Sequence, residues 1–271
     1  MKKIKFYLLP FLLLFIFMSL TACGVNTKKN TWQKIEESKT ITIGYEADFA
    51  PLTSRQESGK PEGFNVALAE AIFASYNIKV DWKALDWSAK EKALKEGEVD
   101  LIWGPYTANK TREKTLLFSQ PYHTGNLVLL VPKEAELYNI GDMHGQAVGG
   151  QKASAAYDLF SEYPQILKNI VKENLMFLYN QPSDAIAALQ AGEIQAALLD
   201  KDYTQTYLRH HQLEGLYNVL ETPYPQVEYA VAARKKDTEL MDKVNQGLQA
   251  FSSRVNLANS LSSGFFLKVL K

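Results

Sequence analysis

Strand-like and helix-like stretches alternate along this chain in two separate series. Thr40–Tyr45 (TITIGY) alternates and is β-branched, which predicts a strand. Phe64, Leu68, Ala71, Ile72 and Ser75 recur at helical spacing, predicting a helix over Phe64–Tyr76, and Ile78–Leu85 reads as a second strand. Ser88-Ala89-Lys90-Glu91 has the form of a capping box, so a helix is expected from Ser88 to the stop at Gly97. Val99–Trp103 closes the series as a strand. The second series runs through a strand at Ala147–Gly150, a helix capped by Ser154, a strand at Leu175–Leu178, a helix capped by Ser183 and ending at Gly192, a strand at Ile194–Leu199 that ends on Asp200, and a helix to about His211. Gly125–Pro132 and Val227–Ala233 are further strands, and Thr238–Phe251 is a last helix. Repeated β-α-β units predict an α/β fold with largely parallel, doubly wound sheets. Such sheets bind ligands beyond the carboxyl ends of their strands.

The two series share an internal echo. Ala93-Leu94-Lys95-Glu96-Gly97-Glu98-Val99 resembles Ala188-Leu189-Gln190-Ala191-Gly192-Glu193-Ile194, each a helix end, a capping glycine, a glutamate and a strand. This points to two lobes of one architecture that aim strand ends at a shared cleft. The first such strand enters the stretch Asp100 to His123, DLIWGPYTANKTREKTLLFSQPYH. There Gly104-Pro105 ends the strand, Tyr106-Thr107-Ala108 forms a loop, and Asn109 is placed to cap a helix through Arg112. A helix N-terminus, the Thr107 hydroxyl and the Arg112 guanidinium together make a socket for a carboxylate. The competing reading is a solvated arginine on a helix surface. The second strand ends at Asp200, which reads either as a carboxylate facing the cleft or as the cap of the next helix.

The N-terminus carries a basic Lys2-Lys3-Ile4-Lys5 and an apolar run, Phe6 to Leu20, broken only by Pro10 and Ser19. That run is short for a membrane span and suits a signal peptide over residues 1–22. It ends in Leu20-Thr21-Ala22-Cys23-Gly24, which resembles the lipobox of bacterial lipoproteins, with Cys23 the sole cysteine of the chain and the expected lipid attachment point. Residues 23–37 then read as a lipid-anchored tether with a helical turn around Trp32 and Ile35. Removing Lys2, Lys3 and Lys5 from 30 basic residues leaves 27 against 30 acidic, a net charge of −3 that gives no footing to nucleic acid. His123, His144, His210 and His211 lack metal-ligand spacing, and no phosphate loop, nucleophile elbow or HExxH motif is present, so no metal or cofactor and no catalytic residue is expected.

Two segments resemble a known family, the bacterial extracellular solute-binding proteins of the polar amino-acid class that serve ABC importers. Gly63-Phe64-Asn65-Val66-Ala67-Leu68-Ala69 is similar to the family's glycine-aromatic helix motif, departing from its acidic positions at Asn65 and Ala67. Asp100 to Tyr122 resembles its strand, hydroxyl-bearing loop, arginine and closing Phe-Ser-x-Pro-Tyr, with Gln120 in place of the usual aspartate. The similarity runs from Thr40 to Phe251, and the tail over 252–271 departs from it.

The resemblance implies a two-lobed periplasmic-binding-protein-like fold of type II. Lobe one would comprise 38–125 plus 231–271 and lobe two 126–230, joined by crossover strands at Gly125–Pro132 and Val227–Ala233. It implies that Arg112 and Thr107 hold a substrate carboxylate and Asp200 the substrate ammonium. Phe49 and Trp87 would wall the side chain, although both also read as core, and Glu46 would stand at the pocket mouth. Pro105 would offer only its carbonyl. On lobe two, Gln151 and the Ala153-Ser154-Ala155 stretch would complete the site, with Ser154 donating to the carboxylate. The implied function is a lipid-anchored receptor on the extracytoplasmic face of the cell membrane. It would deliver a free amino acid to ABC permease and ATPase subunits and close on its ligand. Glu46, Asp48 and the aromatic walls favour a polar or cationic side chain. The alternatives are a prephenate-type (cyclohexadienyl) dehydratase with Glu46 as acid or base, and a ligand-sensing receptor; Asp200, suited to an ammonium, argues against the dehydratase.

Overall fold

The computed structural model describes residues 29–261; the apolar N-terminal run, Cys23 and residues 262–271 lie outside that range. Packing begins within the segment read as a tether. Thr31–Ser38 forms a helix, α1, that buries Trp32 and Ile35. Trp32 meets Tyr76 edge-on at 5.2 Å, and Thr31 Oγ1 donates to Asp237 Oδ1 at 2.6 Å. Each fully buried large apolar side chain contributes about 1.5–3 kcal/mol, enough to hold so short a helix on the fold.

After α1 come β1 (Thr40–Tyr45) and three short strands, β2 (Asp48–Phe49), β3 (Thr53–Arg55) and β4 (Pro61–Glu62), which pair antiparallel among themselves. Next are α2 (Phe64–Ala74), β5 (Lys79–Ala84), α3 (Lys90–Glu96), β6 (Leu101–Ile102) and β7 (Leu116–Phe118). The first large sheet has the order β5-β1-β6-β15-β7, in which β15 (Ala232–Arg234) returns from near the C-terminus. β1 runs parallel to β5 and β6, and β15 antiparallel to β6 and β7. Ile41, Ile43, Leu101 and Trp103 are fully buried against Ile72 and Phe73. The stop of α3 is as the sequence predicts, with Gly97 in the left-handed region at φ 80°. Its start is not. Asp86, rather than Ser88, accepts the Ser88 N–H at 3.0 Å and caps a 3₁₀ turn over Trp87–Ala89, and α3 begins at Lys90. Glu91 is thereby freed for other partners.

β8 (His123–Gly125) leads out of this lobe and pairs antiparallel with β14 (Val227–Tyr229), which leads back. These are the two crossovers, each shorter than the sequence reading has it. The apolar remainder of the first stretch, β9 (Leu127–Pro132), is a fully paired strand of the second sheet. That sheet has the order β11-β10-β12-β9-β13, built from β10 (Val148–Gln151), β11 (Met176–Tyr179), β12 (Ala196–Asp200) and β13 (Tyr217–Glu221). β10 is parallel to β11 and β12, with helices α4 (Ala155–Glu162), α5 (Pro182–Gln190) and α6 (Lys201–His210) in the connections. The α5 cap is Gln181, paired with Asp184, and not Ser183. α7 (Thr238–Leu261) closes the described chain and carries the last helix past Phe251, where the sequence reading ends it. The architecture is two open mixed sheets flanked by helices and joined by two strands. Among the described residues no helix is long and apolar enough to cross a membrane.

Candidate ligand-binding cleft

The carboxyl ends of β1, β6, β10 and β12 deliver Glu46, the Gly104–Thr107 loop, the Gln151–Ala155 turn and Asp200 to one cleft between the lobes. Arg112 lies on the lobe-one side. Its surroundings differ from the socket read in the sequence. The predicted helix is a single 3₁₀ turn, Arg112–Lys114, and Asn109 Oδ1 accepts both the Thr111 and Arg112 N–H groups at 3.0 and 2.8 Å. A single turn gives no helix dipole of useful length at Arg112. Arg112 is 9% exposed and its plane lies 4.6 Å from the Tyr106 ring centre. It donates to the Thr107 carbonyl at 3.1 Å and the Thr107 hydroxyl at 3.2 Å, pairs with Glu91 at 3.3 Å, and reaches across the cleft to Asp158 Oδ2 on α4 at 2.7 Å.

Asp200 faces the cleft from lobe two and proves to be a helix cap as well. Oδ1 accepts the N–H groups of Asp202 and Tyr203 at 2.9 and 3.1 Å, and Oδ2 accepts the Tyr229 hydroxyl at 2.8 Å. Burial pushes its carboxyl up, opposed by the Tyr203 and Tyr229 bonds. Gly125 is obligatory beside it, because a Cβ there would stand 2.5 Å from Asp200 Oδ2. Phe49 stacks on Tyr203 at 5.4 Å and meets Tyr229 edge-on at 6.2 Å, so it is both wall and core. Trp87 is likewise fully buried and packs edge-on against Tyr106.

Glu46 is 2% exposed. Burial pushes its carboxyl up to about 7, against the Gln151 amide, which donates to Oε2 at 2.6 Å from lobe two. Asp48 is engaged across the cleft. It accepts the Ser183 N–H at 3.0 Å and the Tyr203 hydroxyl at 3.2 Å, latching lobe one to lobe two. The Ser154 hydroxyl donates to the Gln151 carbonyl at 2.7 Å and accepts the Tyr157 N–H at 3.3 Å, so its proton is spent locally and is not offered to the cleft. Phe49, Pro105, Gln151, Ser154, Ala155 and Asp200 line one void of ≈ 20 Å³. That is the size of about one water, against roughly 300–1,000 Å³ for ligand sites. The other candidate residues line separate voids: Thr107, Ala155 and Asp158 one of ≈ 490 Å³, and Glu46 and Trp87 one of ≈ 280 Å³. Among the described residues no cluster of His, Cys, Asp and Glu is placed to hold a metal ion.

A model of the bacterial extracellular solute-binding proteins, family 3, matches residues 41–263. This chain belongs to that family. Its members bind solutes rather than transform them, which sets the dehydratase alternative aside. The binding protein is similar to a crystallised ABC uptake transporter substrate-binding protein of Streptococcus pneumoniae with bound histidine. The two are 34% identical over 83% of this chain and 92% of that one, with a TM-score of 0.80. A polar amino acid ABC uptake transporter substrate-binding protein of Streptococcus thermophilus is 35% identical over 85% and 88% of the two chains, with a TM-score of 0.54. Among characterised sequences, a probable histidine-binding protein of Neisseria gonorrhoeae is 25% identical over 86% of this chain and 85% of its own. These likenesses agree with the two-lobed fold.

Several residues of the binding protein's cleft escaped the sequence reading. Tyr203 and Tyr229 lie on elements whose apolar pattern reads as core, and Asp158 reads as an acidic residue in the first turn of a helix. Lys90 sits in the charged run Lys90-Glu91-Lys92, which resembles a solvated face. Its signal was the spacing: Lys90, Ala93 and Leu94 fall at i, i+3 and i+4, and all three are buried.

Proposed function

We propose that the binding protein is the amino-acid receptor of an ABC importer, tethered by a lipid on Cys23 at the extracytoplasmic face of the membrane. It delivers its cargo to separate permease and ATPase subunits. The substrate carboxylate binds Arg112 with Thr107 and the first turn of α4 at Ser154 and Ala155; the ammonium binds Asp200; the side chain extends toward Glu46, Phe49, Trp87 and Gln151, with the Pro105 carbonyl at the edge. The observation that carries this reading is the Arg112–Asp158 pair. Arg112 already holds a carboxylate presented from the opposite lobe at 2.7 Å, and a substrate carboxylate takes the place of Asp158 on the same fork. Arginine suits this exchange because its planar donors bond a carboxylate at two points. A ligand bound by Arg112 on lobe one and Asp200 on lobe two stabilises the closed form by bridging it.

The test is thermal unfolding of the purified protein with each free amino acid in turn. At 100 times its dissociation constant a true ligand adds about 2.7 kcal/mol of stability. A panel in which no amino acid raises the unfolding temperature defeats the proposal.

A further inference from the structure

The cleft holds a second basic side chain, Lys90, to which the receptor reading gives no task. Lys90 is 2% exposed. Its Nζ donates to the Trp87 carbonyl on lobe one at 2.9 Å and to the Ala153 carbonyl on lobe two at 2.8 Å. It lies 4.7 Å from the Trp87 ring centre and 4.9 Å from that of Tyr106. Two aromatic faces and two carbonyl oxygens are what a desolvated cation requires. The niche is also held in a strained form. Ala153 stands in the left-handed region at φ 54°, which is strained for a residue with a Cβ, and it is the Ala153 carbonyl that Lys90 takes.

We propose that Lys90 fills the cleft's cation niche and makes the binding protein selective for amino acids whose side chain is neutral and both donates and accepts hydrogen bonds, a carboxamide or an imidazole, over guanidinium, alkylammonium and carboxylate side chains. The inference rests on the receptor reading and deepens it. A guest cation meets a niche whose carbonyls and ring faces are already used by a tethered amine, with the Arg112 guanidinium near it as well. Burial, and after it Arg112, already pull the Lys90 ammonium down to about 7, while Glu91, Asp158 and Glu46 hold it up; a further positive charge adds to that load. A guest carboxylate meets Glu46 instead. A carboxamide satisfies both walls, offering its carbonyl to Lys90 and its N–H to Glu46. The structure holds a precedent for the second contact, since the amide bonded to Glu46 at 2.6 Å is that of Gln151. Of the polar or cationic side chains that Glu46 and Asp48 favour in the sequence, this proposal keeps the polar and drops the cationic, since Asp48 is committed to Ser183 and Tyr203. Specificity of this kind comes from the clash built against the wrong guest as much as from the fit to the right one.

The experiment is calorimetric titration of the purified protein with the standard amino acids, repeated on Lys90→Met, which keeps the unbranched stem and removes the amine. The expected result is that glutamine, asparagine or histidine binds tightest, at least tenfold tighter than arginine, lysine, aspartate or glutamate. In Lys90→Met the margin over arginine and lysine falls below threefold. Tightest binding of a charged or aliphatic amino acid overturns the inference and leaves the receptor reading standing, as does a margin unchanged in folded Lys90→Met. Binding of no amino acid at all overturns both. Should the variant fail to fold, the order of affinities in the wild type decides alone.

Discussion

Replacing Asp200 by alanine and, separately, by asparagine splits its two tasks. In Asp200→Ala the α6 cap is lost, which costs about 0.5–2 kcal/mol. The Tyr229 hydroxyl, on a residue 1% exposed, loses the acceptor it holds at 2.8 Å, and an orphaned buried donor costs about 1–3 kcal/mol. The two add to about 1.5–5 kcal/mol, which for a chain of this size lowers the melting temperature by roughly 3–20 °C. Asparagine caps nearly as well as aspartate, its amide oxygen can accept from Asp202 and Tyr203, and its amide N–H can donate to the Tyr229 oxygen. The Tyr229 proton is still left without its acceptor, so Asp200→Asn is expected about 1–3 kcal/mol below wild-type stability with the cap kept, and by removing the charge proposed to face the substrate ammonium it weakens binding at least tenfold. Urea unfolding reads the first quantity and calorimetry, with the tightest amino acid of the panel, the second. Two results refute the reasoning: an Asp200→Ala protein as stable as wild type, which denies the cap and the tyrosine bond, or an Asp200→Asn protein that binds within threefold of wild type, which denies the ammonium contact.

Two further outcomes follow from the same geometry. Arg112→Ala removes one side of a buried charge-assisted contact, a loss of roughly 2–5 kcal/mol or about 30- to several-thousand-fold in affinity by calorimetry, and Arg112→Lys recovers little of it because a point charge lacks the planar fork. Stability against pH should carry two opposed slopes. Glu46 is raised from 4.5 to about 7, so between those values the folded protein keeps a proton that the unfolded chain has released, and stability falls as pH rises. Lys90 is lowered from 10.5 to about 7, so above 7 the unfolded chain keeps the extra proton and stability rises toward 10.5. Denaturant titrations across pH should show the first slope missing from Glu46→Gln and the second from Lys90→Met; unchanged difference curves would contradict the burial of these groups.

The division of the chain into two β-α-β series was legible because apolar periodicity is set by which face each element buries, and that pattern survives in Thr40–Tyr45, Phe64–Ala74 and Ala196–Asp200 as plain sequence. Arg112, Thr107, Asp200 and Glu46 were legible as a group for a related reason, since each follows the end of a predicted strand. What stayed hidden depended on contacts between distant segments. Asp48 looks like a loop acid until Ser183 and Tyr203 are brought to it from lobe two. Ser88 and Glu91 satisfy the capping-box spacing, but Asp86 offers a better acceptor and Tyr106 and Arg112 compete for the glutamate at 2.5 and 3.3 Å. The helix dipole expected at Arg112 failed because Asn109 closes a single turn there and the chain goes straight into β7. Trp32 and Ile35 were placed in a tether because a two-turn helix with two apolar residues carries little periodic signal; only the surface they cover shows why it folds.

The crowding at Asp200 has a consequence for how occupancy and shape are linked. Oδ2 of this carboxylate takes the Tyr229 hydroxyl from one crossover strand and occupies the space where Gly125 of the other would carry a Cβ. The residue proposed to read the substrate's charge is thus hydrogen-bonded to one crossover strand and fills the space that a side chain on the other would need. Linkage is reciprocal, so whatever free energy the substrate spends in shifting the balance of open and closed forms is returned when the balance is shifted first. If the closed form is the minor one, a change in the crossover strands that makes it tenfold more populated tightens apparent binding tenfold. On the proposed reading, affinity is set from the crossover strands as well as from the contacts of the cleft.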